Sequence, residues 1–474
     1  MDEIVDGGED PQVVAPATHK QINVWRLVGL AFVFTCGGPF GIEAPMRAAG
    51  PGLGILGILL TPIFFVLPQV VMVAELATMI PSNHGYVAWV SRAFGPFVGF
   101  LNAFNHMLAN IVDMAVYAAL FSSYLCVQFA PNLAFPSQYI IRIICVAICT
   151  VLALLESKRV AEFATVIGAL VMLPFAIGFC AAIPNMSFTQ WGGVKDTVDW
   201  PLYGSSLCWM FTGWSSLGNL AAEVSSPNVY ARGMFFAIVL DVLAYLGPVT
   251  AALTIPSHLV KPDKYWEDGY LAVGFNSIIP GLGPVISVAA ALSIFGMLVS
   301  CMTCYARAVA GMAECGWLPM FLAKTRQGSL VPHVAVITFS AIVAVVSAFD
   351  FDFLIQVDMV LAAESYIICF VAFIRLRYTE PDTPRPYRVP FGMVGAWGTT
   401  LVKIAIMVTI MTLIFVSSPA IFGVWIGVNI FVMGLYLVLN HPKFNQWRGG
   451  RRDVDGVIIV EEPSVPLEGD REMT

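Results

Sequence analysis

Among the carboxylates that stand inside otherwise apolar stretches, five are candidates for chemistry: Glu43, Asp113, Glu223, Asp241 and Glu364. A charge at membrane depth costs roughly 2.5 to 3.5 kcal/mol even on a lenient scale, so each needs a reason, and the reasons available are a cation to hold or a proton to carry. Glu43 closes the run TCGGPFGIE, residues 35–43, which interrupts the first long apolar stretch. In hydrocarbon, non-helical backbone is tolerated only where it is buried in protein or lines a cavity. Gly37, Gly38 and Gly41 let the chain leave helical geometry, Pro39 removes an amide hydrogen and presets the restart, and Glu43 falls in the first turn of the new helix. Asp113 and Tyr117, four residues apart, share one helix face with Ala109 and His106. A second interruption, FTGWSS, groups Thr212, Gly213, Trp214, Ser215 and Ser216, whose carbonyls and hydroxyls suit ammonium groups. Trp209 and Trp214 flank it, and an indole face attracts a desolvated cation by up to about 2 kcal/mol.

The elements that must position these residues are membrane spans. The chain has 474 residues, 58% hydrophobic and 12% charged, which no single soluble core of this size requires. Twelve apolar segments long enough to cross roughly 30 Å of hydrocarbon are predicted. They lie near 24–48, 53–80, 97–128, 139–155, 161–184, 202–224, 234–257, 283–311, 334–350, 352–374, 395–418 and 420–440. The loops assigned to the cytoplasm hold most Lys and Arg, and only Arg47, Arg142, Lys195, Lys261 and Lys264 fall outside, so both termini are expected to be cytoplasmic. The net charge of −7 comes partly from the acidic tails, 1–22 and 441–474, whose composition suits disorder. Residues 1–20 do not read as a cleavable signal, and the first span is expected to direct insertion. Nearly all cysteines fall within spans, so no disulfide framework is expected, and Cys301 and Cys304 read as small packing residues.

Paired Gly-interrupted spans at corresponding places in two halves point to an inverted-repeat transporter with a midplane site. On that reading the transporter domain covers 23–440, with repeat one over 24–184, repeat two over 202–374 and peripheral spans over 395–440 that offer no polar group to a solute. SNHGYVAWVSRAFGP, between spans two and three, is expected to form a helix lying at the cytoplasmic face, and residues 314–332 read the same way. The outer segment 258–282 either closes over a vestibule or is a plain connector.

The runs GGPFGIE, AELATMIPSNHGYVAWVSRAFGPFVGF and IVDMAVYAALF, the pattern W-x(4)-W-x(8)-EVxxP, GMAECGWLP, and FVAFIRLR before RPYRVP closely resemble the polyamine:proton symporters of the amino acid–polyamine–organocation superfamily found in plants and protists. The resemblance covers roughly residues 24–440 and implies an all-α membrane protein of the LeuT type, with five plus five helices, broken helices 1 and 6, alternating access and coupling to an ion gradient. In amino acid carriers of this fold the amides at the first break hold the substrate carboxylate; here Pro39 withdraws an amide and Glu43 adds a negative charge, so an amine is favoured. The resemblance places Asp113 and Tyr117 beside the site, and Glu223 matches the acidic residue of its EVxxP signature. Glu223 then carries a proton or pairs with Arg92 or Arg159 at the inner gate, and Glu75 reads as structural. Glu364 is a further candidate for proton coupling. Asp241 has no counterpart in the resembled pattern.

Three departures bear on the substrate. Ser215, Cys301 and Tyr305 stand where plant members carry acidic residues, which favours a diamine such as putrescine over a longer polycation. Span five has no mid-membrane lysine, and Ser300 and Thr303 are weak candidates for a sodium site, since hydroxyls in helices usually bond their own backbone. The leading expectation is a plasma-membrane importer of small polyamines coupled to protons or membrane potential, with ammonium groups between Glu43 and Asp113 and methylenes on Tyr117 and Trp214. The alternatives are an amino acid:cation symporter of the same fold, a nontransporting sensor, and the light subunit of a heteromeric carrier. No metal cluster, nucleophile elbow or phosphate loop is visible, so neither an enzyme, a cofactor nor a nucleic-acid partner is expected.

Overall fold

The computed structural model describes residues 23–80, 85–154, 157–186, 191–215, 217, 224, 226–255, 266–314, 316–325 and 331–439. These residues fold as helices and connecting turns. Asn23 caps α1 (Val24–Thr35) by accepting from the Arg26 amide at 3.0 Å. The helix stops at a run in which Gly37, Gly38 and Gly41 have φ of 62°, 150° and 74°, backbone that costs an L side chain dearly. The chain restarts as α2 (Glu43–Ala49), with Glu43 in its first turn. Pro51 opens α3 (Pro51–Thr61), which continues through a π-helical turn, Pro62–Val66, into α4 (Leu67–Met79).

The short helix expected between spans two and three is present as α5 (Tyr86–Phe94), set between Gly85 and Gly95, which have φ of 45° and 83°. Its apolar face, Tyr86, Trp89, Val90 and Ala93, has the i, i+3, i+4, i+7 spacing of a one-sided helix and is buried. Three long helices form the interior: α6 (Pro96–Phe129), α12 (Leu282–Glu314) and α14 (Phe351–Thr379), with α6 packed on both others. Around them stand α7 (Phe135–Ala153), α8 (Ser157–Ala182), α9 (Trp200–Met210), α10 (Pro227–Ala252), α11 (Tyr270–Ile278), α13 (His333–Val346), α15 (Gly392–Ser417) and α16 (Pro419–Leu439).

Exposed apolar side chains mark the outer ring. Ile140, Ile144, Ile148 and Val151 form a stripe along α7 that only lipid would cover. The most apolar window of α16 is 11% buried, against 78% for those of α6 and α14, which separates rim from centre. Arg142 of α7 is buried instead, donating to the Ser122 hydroxyl at 3.0 Å and to the carbonyls of Ser347 and Phe349 at 2.7 and 2.9 Å, so it caps the end of α13.

Among the described residues, eight helices are long and apolar enough to cross a membrane. The protein is a multi-pass membrane protein. The span expected at 334–350 is a helix of 14 residues, about 21 Å at 1.5 Å per residue and shorter than a straight crossing needs. Part of the outer segment 258–282 is helical, as α11. Among the described residues that follow α12, 316–325 hold one 3-10 turn, Met320–Ala323, bounded by Gly316 at φ 70° and by Pro319, where a helix lying at the cytoplasmic face is expected. The rim spans carry two polar side chains turned toward protein, Lys403 of α15, 1% exposed, and Asn429 of α16.

Candidate functional site

The second interruption follows α9, which ends at Met210 after Asp199 caps its start. Gly213 has φ 88°, and a Cβ there would run into the carbonyl oxygen of Phe34 in the last turn of α1. The two breaks therefore abut, and only glycine allows that approach. Around them, His106, Ala109, Asn110 and Asp113 of α6, Thr212, Gly213 and Ser215 of the break, Tyr305 of α12, and Asp358, Ala362 and Tyr366 of α14 enclose a cavity. Its empty space is about 350 Å³, part of it open to solvent.

Asp113 is held from two sides. Its Oδ1 accepts from the Trp209 indole at 2.9 Å and its Oδ2 from the Tyr305 hydroxyl at 3.3 Å. Asp358, 3% exposed, has no hydrogen bond or ion pair among the described residues. Among the described residues no Lys or Arg lines the cavity, so two carboxylates share it without a resident cation from that set. A buried charge needs a partner, and two in one space call for a cation or a proton from outside. Tyr305 and Tyr366 add ring faces and Thr212, Ser215 and Asn110 add neutral polar groups. Ser215 also accepts from the Gln69 amide at 2.9 Å. His106 is satisfied by Ser365, 3.2 Å away, and lies against the Tyr86 ring at 4.0 Å.

Of the expected site residues, Asp113, Thr212, Gly213 and Ser215 come together. Tyr117 stands one turn from Asp113 with its ring on Trp209, 5.8 Å between centroids. Trp209, rather than Trp214, is the indole that touches an acid; Trp214 is buried with its ring nitrogen unpartnered. Gly37 sits under α12, its carbonyl accepting from the Ser293 hydroxyl, and Gly38 lies against the same side chain. Glu43 lies outside the cavity: fully buried, it accepts from the Tyr124 hydroxyl at 2.6 Å on one oxygen and has no partner on the other. The Trp209 ring packs on Gly41 and bonds Asp113, so it stands between the first break and the cavity, and the pairing of Glu43 with Asp113 around one ligand is not formed.

Ser300 and Thr303 donate to Gly296 and Val299 of their own helix at 2.9 and 2.8 Å. Glu364 faces α16, accepting on one oxygen from Trp425 at 2.7 Å and Asn429 at 3.0 Å. Glu223 and Arg159 lie outside the described side chains. Arg92, one of the two arginines considered as a partner for Glu223, makes a two-pronged pair with Glu380 at 2.8 and 2.7 Å, which holds that carboxyl below its usual range.

One face of α14 and one residue of α15 escape the sequence reading. Asp358, Ala362 and Tyr366 recur every four residues, a signal for one helix face, but the run is apolar all round and gives no direction to it. Lys403 is placed by its neighbours alone. Its Nζ donates to the Phe65 carbonyl at 3.1 Å, with the Phe65 ring centroid at 3.0 Å and that of Tyr366 at 4.9 Å, so it backs the ring that lines the cavity.

Ionic clusters stand at both ends of α14. At one end Arg47 of α2 donates to Asp352 at 2.5 Å and to Asp268 at 3.2 Å, with Glu267 at 3.8 Å. Burial pushes the Asp268 carboxyl up to about 6 against the opposing pull of Arg47. At the other end Glu75 of α4, fully buried, receives Arg377 in two bonds, Arg385 at 3.3 Å and the Val389 amide at 2.7 Å. Glu75, read from the sequence as structural, thus ties α4 to α14 and to the segment that follows it.

The amino acid permease family model matches residues 22–439. The chain belongs to the amino acid permease family. This permease is 32% identical over 459 residues to a probable polyamine transporter of Arabidopsis thaliana, covering 94% of this chain and 89% of that one. It is 31% identical over 464 residues to a polyamine transporter of Oryza sativa subsp. japonica, covering 96% and 85%. An Asc-type amino acid transporter of Homo sapiens is 27% identical over 394 residues, covering 77% and 71%. The permease is accordingly a membrane transporter of the amino acid–polyamine–organocation superfamily.

Proposed function

We propose that this permease imports small polyamines, putrescine-like diamines first, by proton-coupled symport with alternating access across the plasma membrane. The observation that carries the reading is the pair of cavity carboxylates, Asp113 and Asp358, with no cation beside them. A diamine supplies one ammonium to each, and its methylenes lie on the rings of Tyr305 and Tyr366. A zwitterionic amino acid brings a carboxylate for which the lining offers no cation. The polyamine transporters among the relatives support the same substrate class.

The breaks after α1 and after α9 support a five-plus-five inverted repeat of twelve spans, with the site between the broken elements. Both termini are then cytoplasmic, the Arg47 cluster is an outer gate and the Glu75 cluster an inner one. Glu43, buried beside Tyr124, acts on the break that opens with the outer gate; Glu364 and Glu223 remain candidates for gating or proton passage.

Uptake of labelled putrescine into proteoliposomes tests the reading. Asp113→Asn and Glu43→Gln are expected to abolish uptake while surface expression persists. Competition by leucine or arginine as strong as that by unlabelled putrescine would instead favour the amino acid symporter, the reading that the Asc-type relative supports.

A further inference from the structure

Asp241 of α10 is fully buried and plays no part in the cavity. No Lys, Arg or His pairs with it among the described residues. Its Oδ2 lies 2.7 Å from the hydroxyl of Thr35, the last residue of α1, and its Oδ1 has no partner. The same hydroxyl lies 2.8 Å from the Ala31 carbonyl oxygen. A hydroxyl has one hydrogen, and a carbonyl oxygen only accepts. If the hydrogen goes to Ala31, nothing joins Thr35 to Asp241 unless the carboxyl brings a proton of its own. If it goes to Asp241, a bare carboxylate is buried on a single neutral donor. The first arrangement satisfies both contacts; the second leaves a charge uncompensated.

The surroundings supply no counter-charge. Among elements packed on α10, α3 and the π turn carry no titratable side chain, and α4 carries only Glu75, held by Arg377 and Arg385. The described side chains of α8 bring only the exposed Cys180, α11 brings Tyr270 against Trp266, and Arg26 of α1 lies nine residues before Thr35. The nearest groups are Cys36, whose thiol donates to Gly38, and Tyr245, whose hydroxyl donates to the Met210 carbonyl at 2.7 Å. Asp241 and Tyr245, one turn apart, therefore grip the ends of both helices that break.

We propose that Asp241 is a proton-binding site: protonated, it donates to Thr35 and fastens the end of α1 to α10, and it releases the proton when that end swings into contact with water. The proton comes from water on one side of the membrane and returns to water on the other, and the carboxylate is regenerated. This rests on the proton-symport reading above and names where the proton rides.

Asp241→Asn keeps a donor toward Thr35 but cannot titrate. In proteoliposomes it is expected to exchange labelled putrescine at equal concentrations as the wild type does. Under an inward gradient of one pH unit, one coupled proton supports about tenfold accumulation, and the variant should reach only about onefold. Accumulation by the variant equal to that of the wild type overturns the proposal. Thr35→Val removes the acceptor for the neutral carboxyl and should lower the pH midpoint of uptake by about one unit; an unmoved midpoint overturns it too. The infrared carbonyl band of a protonated carboxylic acid, present in wild-type protein at neutral pH and missing from Asp241→Asn, reads the site without transport, and its absence from the wild type also counts against the proposal. Wild-type accumulation that ignores the pH gradient while that band is present refutes proton symport and leaves the proton site standing.

Discussion

Asp358→Asn separates what a residue does for ligand from what it does for fold. The carboxylate has no partner among the described residues, so the amide breaks no bond and relieves a buried charge. The empty variant should therefore melt no lower than the wild type. Binding should move the other way, because one charge-assisted hydrogen bond to an ammonium group contributes about 1.5 to 3 kcal/mol, or roughly a 10- to 150-fold change in Kd. Thermal shift in detergent reads both quantities. With putrescine at about 100 times the wild-type Kd, binding stabilises the wild type by about 2.7 kcal/mol, and a variant weakened about 50-fold gains only about 0.6 kcal/mol. The loss should be smaller for a monoamine, which has one ammonium to place. A variant that melts lower when empty yet keeps the full putrescine shift would refute the two-carboxylate site.

Three further outcomes follow from the geometry. The Asp268 carboxyl titrates near 6 when folded, above its ordinary value near 4, so the folded state binds a proton that the unfolded chain has lost. Stability should fall as pH rises from about 4 to about 6 and then level; Asp268→Asn should flatten that slope, and melting curves for both proteins across this range check it. Glu75→Gln strands two arginines at a fully buried site and should destabilise by about 3 to 5 kcal/mol, with a strongly non-additive cycle against Arg377→Gln when unfolding is measured. Gly213→Ala combines a left-handed φ with a collision against the Phe34 carbonyl, so uptake should be lost, and a functional variant would show that the breaks need not touch.

The parts of this molecule that are legible in its sequence are those where backbone chemistry alone decides. Gly37, Gly38 and Gly41 beside Pro39 announce the first break and the lone Gly213 the second, because glycine takes φ values such as those found at Gly37, Gly41 and Gly213 without the strain an L side chain incurs. Asp113 stands out because a lone acid in an apolar helix must face protein. The same reasoning cannot choose between Asp358 and Glu364, six residues apart on a helix apolar on every side. One faces the cavity and the other a rim helix, and only the positions of α6 and α16 decide which. Glu43 misleads for a related reason. Its place in the first turn of α2 is fixed by sequence, but the Trp209 ring that screens it from the cavity comes from α9, some 165 residues further along the chain. Lys403 is likewise held by a carbonyl and two rings from distant segments, a cradle that no local pattern encodes.

Helix α14 has neither proline nor glycine along its length, and it joins the Arg47 cluster through Asp352 at one end to the Glu75 cluster through Arg377 at the other. Twenty-five residues of straight helix set these ends roughly 37 Å apart with no built-in place to bend. A rod of that kind works as a seesaw: tilting it to strain one latch changes the load on the other. With the two clusters as the proposed gates, their strengths are not independent properties of two surfaces but a matched pair, and tightening either one alone should stall the proposed cycle with the opposite door ajar.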